Sequence, residues 1–171
     1  CITVNNGTVS LTLALQALNV KAGDEVIVPD LSMIATPNSA VMFGAVIRFV
    51  DVEKDTLCMD INKAREAITN KTKALIYVSL NGRSGDLDAF RKLCDDHRIA
   101  MLEDSAQSLG SFYKQKHLGT FGHIGSISFS SQKIITTGQG GALITNDDNL
   151  AVKLRKLKEF GRVRAGIDIH E

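Results

Sequence analysis

The sequence predicts an α/β protein with a mostly parallel central sheet and helices on both faces of that sheet. Two observations support this fold class. Short apolar runs of strand length recur along the chain, and segments with apolar residues at helical spacing lie between them. Strands that alternate with helices are typical of parallel sheets, because each parallel connection needs a crossover. The composition, 44% hydrophobic and 23% charged residues, is that of an ordinary globular chain.

Turn and cap residues mark the boundaries of the predicted elements. Several of the apolar runs lack polar alternation, which indicates strands that are buried on both faces. Gly23 precedes the first run, Asp86 can cap a helix, and Asp147 and Asp148 begin the last helix. We predict strands at 25–29, 46–50, 73–78, 99–102, 125–129 and 141–145. We predict helices at 9–18, 35–43, 61–68, 87–97 and 149–160.

Charge offers no general reason to bind nucleic acid, since the formal net charge is only +1. One basic cluster lies near the end of the chain, where leucines recur among the charges at helical spacing. We interpret it as the solvated face of an amphipathic helix, with a polyanion site as the alternative. The cluster consists of Lys153, Arg155, Lys156, Lys158, Arg162 and Arg164.

Cysteine and histidine usage indicates a reducing compartment and no metal. The three cysteines form no C-x-x-C motif, and the four histidines are scattered. No apolar run approaches the ~18 residues that a membrane span needs. We therefore expect a cytoplasmic protein without a membrane segment.

Polar side chains directly follow two of the predicted strands. Glu103, Asp104 and Gln107 come after the strand at 99–102, and Lys133 comes after the strand at 125–129. In an open α/β sheet, ligands bind beyond the carboxyl ends of the strands. A carboxylate at one strand end and an amine at another can therefore converge on one small molecule.

Pyridoxal phosphate (PLP) makes use of such a pair. A lysine amine binds its aldehyde as a Schiff base, and a buried carboxylate keeps its pyridine nitrogen protonated. Residues 6–10 open a helix, where N–H groups and a glycine favour the phosphate. Each feature alone has an ordinary alternative: a turn with an N-cap for 6–10, a structural cap for Asp104, and a solvated side chain for Lys133.

The order of these features resembles one protein family. Seven blocks along almost the whole chain are similar to the DegT/DnrJ/StrS family of PLP-dependent sugar aminotransferases, which share the aspartate-aminotransferase (type I) fold. The blocks are NGTVSL (6–11), GDEVIVP (23–29), IATPNSA (34–40), NGRSGD (81–86), EDSAQ (103–107), FSSQK (129–133) and GQGGALITN (138–146). The resemblance implies that residues 1–171 form the large PLP-binding domain, without the C-terminal small domain of family members.

The resemblance also implies roles for single residues at the cofactor ring. Lys133 would carry PLP as the Schiff base and move a proton between the substrate carbon and the cofactor. Asp104 would hold the pyridinium nitrogen, and Gln107 would meet the ring hydroxyl. Met33 stands where relatives usually place an aromatic side chain on the ring, and its sulfur can cover the ring less rigidly. Plain core filling is the alternative for Met33.

The phosphate is expected to contact Gly7, Thr8 and Ser128, with a further backbone N–H from Val9. For Ser128, as for Gln107, the alternative is a satisfied polar residue at a strand end. His123 is expected to be a solvated loop residue rather than an acid or base.

The segment KIITTG (133–138) looks most like the perosamine-synthase branch. Its members use glutamate to aminate the 4-keto group of a GDP-linked 6-deoxy sugar. The partners implied are glutamate, a nucleotide sugar and a second copy of the chain, because family members are homodimers that share active sites. Lysine at position 133 favours transamination, since the related sugar dehydratases carry histidine there.

Three alternative functions stay open. The first is a non-catalytic PLP-binding regulator or scaffold, and the second is a sugar dehydratase of the same fold. A nicotinamide-dependent dehydrogenase is the third, but residues 119–125 precede a strand and do not have the G-x-G-x-x-G spacing.

Overall fold

A seven-stranded sheet forms the centre of the protein in the computed structural model, which describes residues 1–162. The strands of this sheet are β1 (Ile2–Val4), β2 (Glu25–Pro29), β3 (Val46–Val50), β4 (Thr72–Val78), β5 (Ala100–Asp104), β8 (Ile124–Ser128) and β9 (Gly141–Ile144). A separate hairpin consists of β6 (Phe112–Tyr113) and β7 (Lys116–His117).

The strand order is β1-β9-β8-β5-β4-β2-β3. Neighbouring strands are parallel from β3 to β8, and within residues 1–162 only β9 runs against its neighbours in this sheet. The prediction of a mostly parallel sheet is therefore confirmed. The carboxyl ends of β4, β5 and β8 lie side by side, which brings the residues that follow them to one edge.

Helices cover both faces of the sheet, as predicted. The helices are α1 (Gly7–Ala17), α2 (Ala35–Val41), α3 (Ile61–Ala67), α4 (Leu87–His97) and α5 (Asp148–Lys158). One apolar cluster joins the sheet to α1, α2 and α5, and a second joins it to α3 and α4. Val26, Ile27 and Val28 of β2 are fully buried because successive side chains enter the two clusters in turn.

Two parts of the sheet differ from the prediction. The strand predicted at 99–102 continues through Glu103 and Asp104, because these residues pair with Tyr77 and Val78 of β4. The short strand β1 and the hairpin were not predicted. Two or three residues carry too little periodicity to indicate a strand, and β1 forms by pairing with the distant β9.

The basic cluster on α5 has one structural role. Lys153 Nζ donates to the carbonyl of Ala17 at 2.6 Å and to Asn19 Oδ1 at 2.5 Å. A cation at this place satisfies the carbonyl of the last residue of α1 and complements the negative end of the helix dipole. Arg164 lies outside the described residues. None of the helices found in residues 1–162 is long and apolar enough to cross a membrane.

The start of α1 approaches β8 and β9 very closely. A Cβ atom at Gly141 of β9 would lie 2.5 Å from the carbonyl oxygen of Asn6 and 3.0 Å from the nitrogen of Gly7. A Cβ atom at Gly7 would lie 2.7 Å from the Cβ of Ser128. Both positions therefore need glycine for steric reasons, and together they set the start of α1 against the end of β8.

Gly141→Ala tests this junction. Its methyl group would meet backbone atoms, so we expect the free energy of unfolding to fall by about 1–3 kcal/mol. Gly85→Ala is the matched control, because its Cβ would meet Glu53 Oε2 at 3.4 Å and the Tyr77 hydroxyl at 3.5 Å, both ordinary contacts. Urea unfolding measures both variants, and equal loss of stability would contradict the close approach.

Candidate functional site

A cavity of about 260 Å³ lies beyond the carboxyl ends of β4, β5 and β8, beside the starts of α1 and α2. Of the eight residues predicted for the site, this cavity is lined by Gly7, Thr8, Met33, Asp104, Gln107, Ser128 and Lys133. Val9 does not line it. A wider cavity of about 790 Å³ shares Met33, Gln107 and Lys133 and is also lined by Leu31, Asn81 and Ile134.

Asp104 ends β5 and is buried, with 7% of its surface exposed. Its Oδ2 accepts a hydrogen bond from the Thr36 hydroxyl at 2.8 Å, and its Oδ1 accepts from the Ala106 N–H at 3.2 Å. Burial raises the pKa of Asp104 above its ordinary value, while the Thr36 and Ala106 donors and the charge of Lys133 act in the opposite direction. Within residues 1–162 this carboxylate makes no ion pair.

The preceding residue, Glu103, lies on the other face of the sheet and serves the fold. Its carboxylate accepts the N–H groups of Gly119 at 2.8 Å and of Phe121 and Gly122 at 2.5 Å each. Burial raises the pKa of Glu103, and these donors lower it. Two adjacent carboxylates therefore have different roles, because successive side chains of a strand point to opposite faces.

Thr36 and Ser32 belong to the site, although no role was predicted for them. Thr36 is fully buried on α2, and its hydroxyl lies 2.7 Å from that of Ser32, which lines both cavities. Thr36 does fall within one of the family-like blocks, 34–40. A threonine inside a helix is ordinarily structural, so only its contact with Asp104 reveals it.

The start of α1 presents unpaired donors to the cavity. In the part of the chain that the structure describes, the N–H groups of Gly7 and Thr8 have no acceptor. The N–H of Val9, which was also predicted to bind the phosphate, donates to Asn6 Oδ1 at 2.9 Å as part of the helix cap. A phosphate would have to share or displace that bond.

Ser128 and Gln107 line the same cavity as the buried carboxylate of Asp104. The Ser128 hydroxyl is 3.1 Å from that of Ser130, at the end of β8 next to Gly7. Gln107 Oε1 accepts the N–H of Asn81 at 3.1 Å, which ties the turn after β5 to the turn after β4. The Gln107 amide nitrogen remains available to a ligand as a donor.

Lys133 and Met33 complete the walls of the cavity. Lys133 is half-buried in the turn after β8, where its N–H donates to the carbonyl of Ser130 at 2.9 Å. Met33 is 50% exposed and lines both cavities, so core filling does not describe it. Whether its sulfur covers a cofactor ring stays a prediction.

These residues fit PLP by their chemistry. Unpaired N–H groups beside a serine hydroxyl suit a phosphate dianion. A buried carboxylate without a cationic partner suits a pyridinium nitrogen, and a lysine amine on the same cavity suits an aldehyde. No group of three or more His, Cys, Asp or Glu side chains that could hold a metal was found in residues 1–162.

Comparison with known proteins shows which family the chain belongs to. Residues 1–169 match the model of the DegT/DnrJ/EryC1/StrS aminotransferase family. The chain belongs to this family. The family, the fold and the cofactor that the sequence predicts are thereby confirmed.

Two curated relatives show how far the similarity extends. GDP-perosamine synthase of Escherichia coli O157:H7 is 46% identical over 148 residues, covering 86% of this chain and 41% of the relative. L-glutamine:2-deoxy-scyllo-inosose aminotransferase of Streptomyces kanamyceticus is 41% identical over 162 residues, covering 95% of this chain and 38% of the relative. The chain thus spans about two fifths of the length of these relatives.

A solved structure gives the same result for the fold. GDP-4-keto-6-deoxymannose-3-dehydratase with a trapped PLP-glutamate geminal diamine superimposes with a TM-score of 0.86 at 33% identity. The match covers 93% of this chain and 43% of that protein.

His123 lies near the start of β5, away from the cavity. Its Nδ1 accepts the N–H of Met101 at 3.0 Å, and its Nε2 is 3.8 Å from Asp95 Oδ1. Burial and then the charge of Arg91 lower the pKa of His123 below 6.5. The residue is partly buried and structural, which differs from the solvated side chain that was expected.

Stability should therefore depend on the protonation of His123. The unfolded chain binds this proton more readily than the folded chain, so we expect the free energy of unfolding to decrease as the pH falls below 6.5. His123→Asn keeps an acceptor for Met101 and should flatten this dependence. Urea unfolding between about pH 7 and about pH 5 measures the difference.

Comparing the stability of Glu103→Gln with that of Asp104→Asn tests whether Glu103 serves the fold and Asp104 the site. Glutamine cannot accept all three N–H groups that Glu103 accepts, so we expect the free energy of unfolding to fall by about 1–3 kcal/mol. Asp104→Asn removes a buried charge, and its stability should equal or exceed that of the wild type. Thermal unfolding of the two variants provides the measurement. A larger loss of stability in Asp104→Asn would show that Asp104 is structural.

Proposed function

We propose that the protein containing this chain is a PLP-dependent aminotransferase. It transfers an amino group from glutamate to a keto group of a nucleotide-linked sugar, and a GDP-linked 4-keto-6-deoxy sugar is the favoured acceptor. The observation that carries this proposal is the shared cavity. It is lined by the start of α1, whose unpaired N–H groups can bind an anion, by the buried carboxylate of Asp104 and by the amine of Lys133.

Each residue has a role in the reaction that follows from its position in the cavity. The chemistry that PLP supplies when bound is an electron sink for the bond that breaks at the substrate carbon. Asp104 accepts a hydrogen bond from the protonated ring nitrogen and stabilises its positive charge. Gly7 and Thr8 donate their N–H groups to the phosphate, and the Ser128 hydroxyl donates beside them.

Lys133 has two roles in this proposal. Its Nζ would hold the cofactor through the aldehyde, with release of water. The same amine would take up and deliver the proton that moves at the substrate carbon. A half-buried position on the wall between the two cavities suits both roles, because the same amine must reach cofactor and substrate.

The similarity to GDP-perosamine synthases supports the favoured acceptor, and the similarity to a glutamine-dependent relative makes the donor worth testing. A dehydratase of the same fold is also similar, but lysine at position 133 favours transamination. A homodimer with shared sites and a cytoplasmic location stay predictions of the sequence, as does the division of the protein into domains.

Lys133→Ala tests the central assignment. The full-length protein mixed with PLP should show a visible absorption band that glutamate bleaches, and Lys133→Ala should lack the band and lose at least about 1000-fold in turnover, because covalent and proton-transfer steps are both lost. Lys54→Ala, at an exposed lysine of the 51–60 loop, is the control.

The outcomes separate the candidate functions. A band that survives in Lys133→Ala and bleaches normally would disprove the role of Lys133. A band that never bleaches with glutamate or glutamine would favour the non-catalytic regulator. Comparing kcat/KM for GDP-linked and other nucleotide-linked keto sugars identifies the acceptor, and loss of a sugar hydroxyl without amination would indicate the dehydratase.

A further inference from the structure

We propose that Thr36 is a positioning residue that acts through Asp104, and that Ser32, Thr36 and Asp104 form a hydroxyl relay from the cavity wall to the buried carboxylate. The proposal rests on the function proposed above. It assigns a role to two residues outside the set predicted from the sequence.

The direction of the relay follows from counting hydrogens. Asp104 accepts at both carboxylate oxygens, from the Ala106 N–H at Oδ1 and from the Thr36 hydroxyl at Oδ2. Because Thr36 has a single hydroxyl hydrogen and donates it to Asp104, it can only accept from Ser32 at 2.7 Å. Ser32 must therefore donate to Thr36.

Burial makes this arrangement important for the charge of Asp104. Thr36 is fully buried, so its hydroxyl is shielded from water, and Asp104 is only 7% exposed. A hydrogen bond to an ionised carboxylate favours the charged form, and the effect is larger in a low-dielectric environment. Thr36 thus opposes the burial that disfavours the ionised Asp104.

The relay also fixes the orientation of the carboxylate. Thr36 lies on α2 and Ala106 in the turn after β5, so the two donors hold the carboxylate from different elements. A carboxylate held at both oxygens is fixed in one orientation, and it retains lone pairs for a ligand in the cavity that Asp104 lines. This fixed direction is what a ring nitrogen needs from its partner.

Ser32 is the end of the relay that a ligand can reach. It is half-buried and lines both cavities. Since its hydrogen is committed to Thr36, its oxygen can only accept a hydrogen bond from the cavity side. We therefore expect removal of the Ser32 hydroxyl to weaken the relay without breaking the bond between Thr36 and Asp104.

Thr36→Val is the direct test, because valine keeps the shape of threonine and removes the donor. The readout is the affinity for PLP as a function of pH, measured by titrating the absorption of the full-length protein. The proposal requires an ionised Asp104 for PLP binding, so affinity should fall on the acid side. Lys133, whose charge also acts on Asp104, is unchanged in every variant. In Thr36→Val we expect affinity at neutral pH to drop on the order of tenfold, and the acid limb to move up by about one pH unit.

Three further variants serve as controls. Thr36→Ser keeps the donor and should restore the wild-type profile. Ser32→Ala should move the acid limb in the same direction by less. Ser39→Ala removes another buried hydroxyl of α2, which donates to the Thr36 carbonyl at 2.7 Å and not to Asp104. This variant should leave the acid limb unchanged.

Each outcome decides the proposal. The proposal is overturned if the acid limb of PLP affinity is unchanged in Thr36→Val. It is also overturned if the limb moves as far in Ser39→Ala as in Thr36→Val. If Thr36→Val does not fold, an unmoved limb in Ser32→Ala overturns the relay. If the wild type binds no PLP, the proposed function fails. The relay is then judged from the pKa of Asp104 in cofactor-free protein, measured by NMR of carbon-13-labelled aspartate, which must rise in Thr36→Val.

Discussion

The negative charge of Asp104 is buried at the end of the central strand β5, and the surrounding site is organised by the need to compensate it. Moving a carboxylate out of water is unfavourable unless hydrogen bonds or an opposite charge replace the lost hydration. Here a hydroxyl from α2, a backbone N–H from the turn after β5 and the more distant charge of Lys133 act together. These partners come from separate parts of the chain, so the charge is compensated only in the complete fold.

The pleat of β5 places Glu103 and Asp104 on opposite faces of the sheet, where Glu103 stabilises the fold and Asp104 lines the site. Glu103 faces the side of α4, where its carboxylate holds the loop at 119–122 through three N–H groups. Asp104 faces the cavity and keeps a raised pKa and no ion pair in the described residues. The first carboxylate thus stabilises the fold, while the charge of the second is only partly compensated, by two hydrogen bonds and the charge of Lys133. Such a residue is unfavourable in the empty protein and useful when a cationic ring nitrogen binds.

Close backbone approach is the second condition for the site. The start of α1 reaches the end of β8 only because Gly7 and Gly141 carry no Cβ atom. This contact places the unpaired N–H groups of α1 on the same cavity as Asp104 and Lys133. A larger residue at either glycine would move these N–H groups away from the carboxylate of Asp104.

The sequence by itself determined the class of fold, the main strands and helices, and seven of the residues that line the cavity. It could do so because buried parallel strands are apolar throughout, and because ligand-binding residues follow the carboxyl ends of such strands. The seven ordered blocks that resemble the family then singled out PLP as the predicted cofactor.

Only the tertiary structure decided the rest. Strand β1 and the contact between Thr36 and Asp104 join residues far apart in the chain, so no local pattern indicates them. The partners that Glu103 and Asp104 meet on the two faces of β5 likewise depend on packing. Residue type sets the chemistry that a side chain can perform, whereas packing sets its partner and therefore its role.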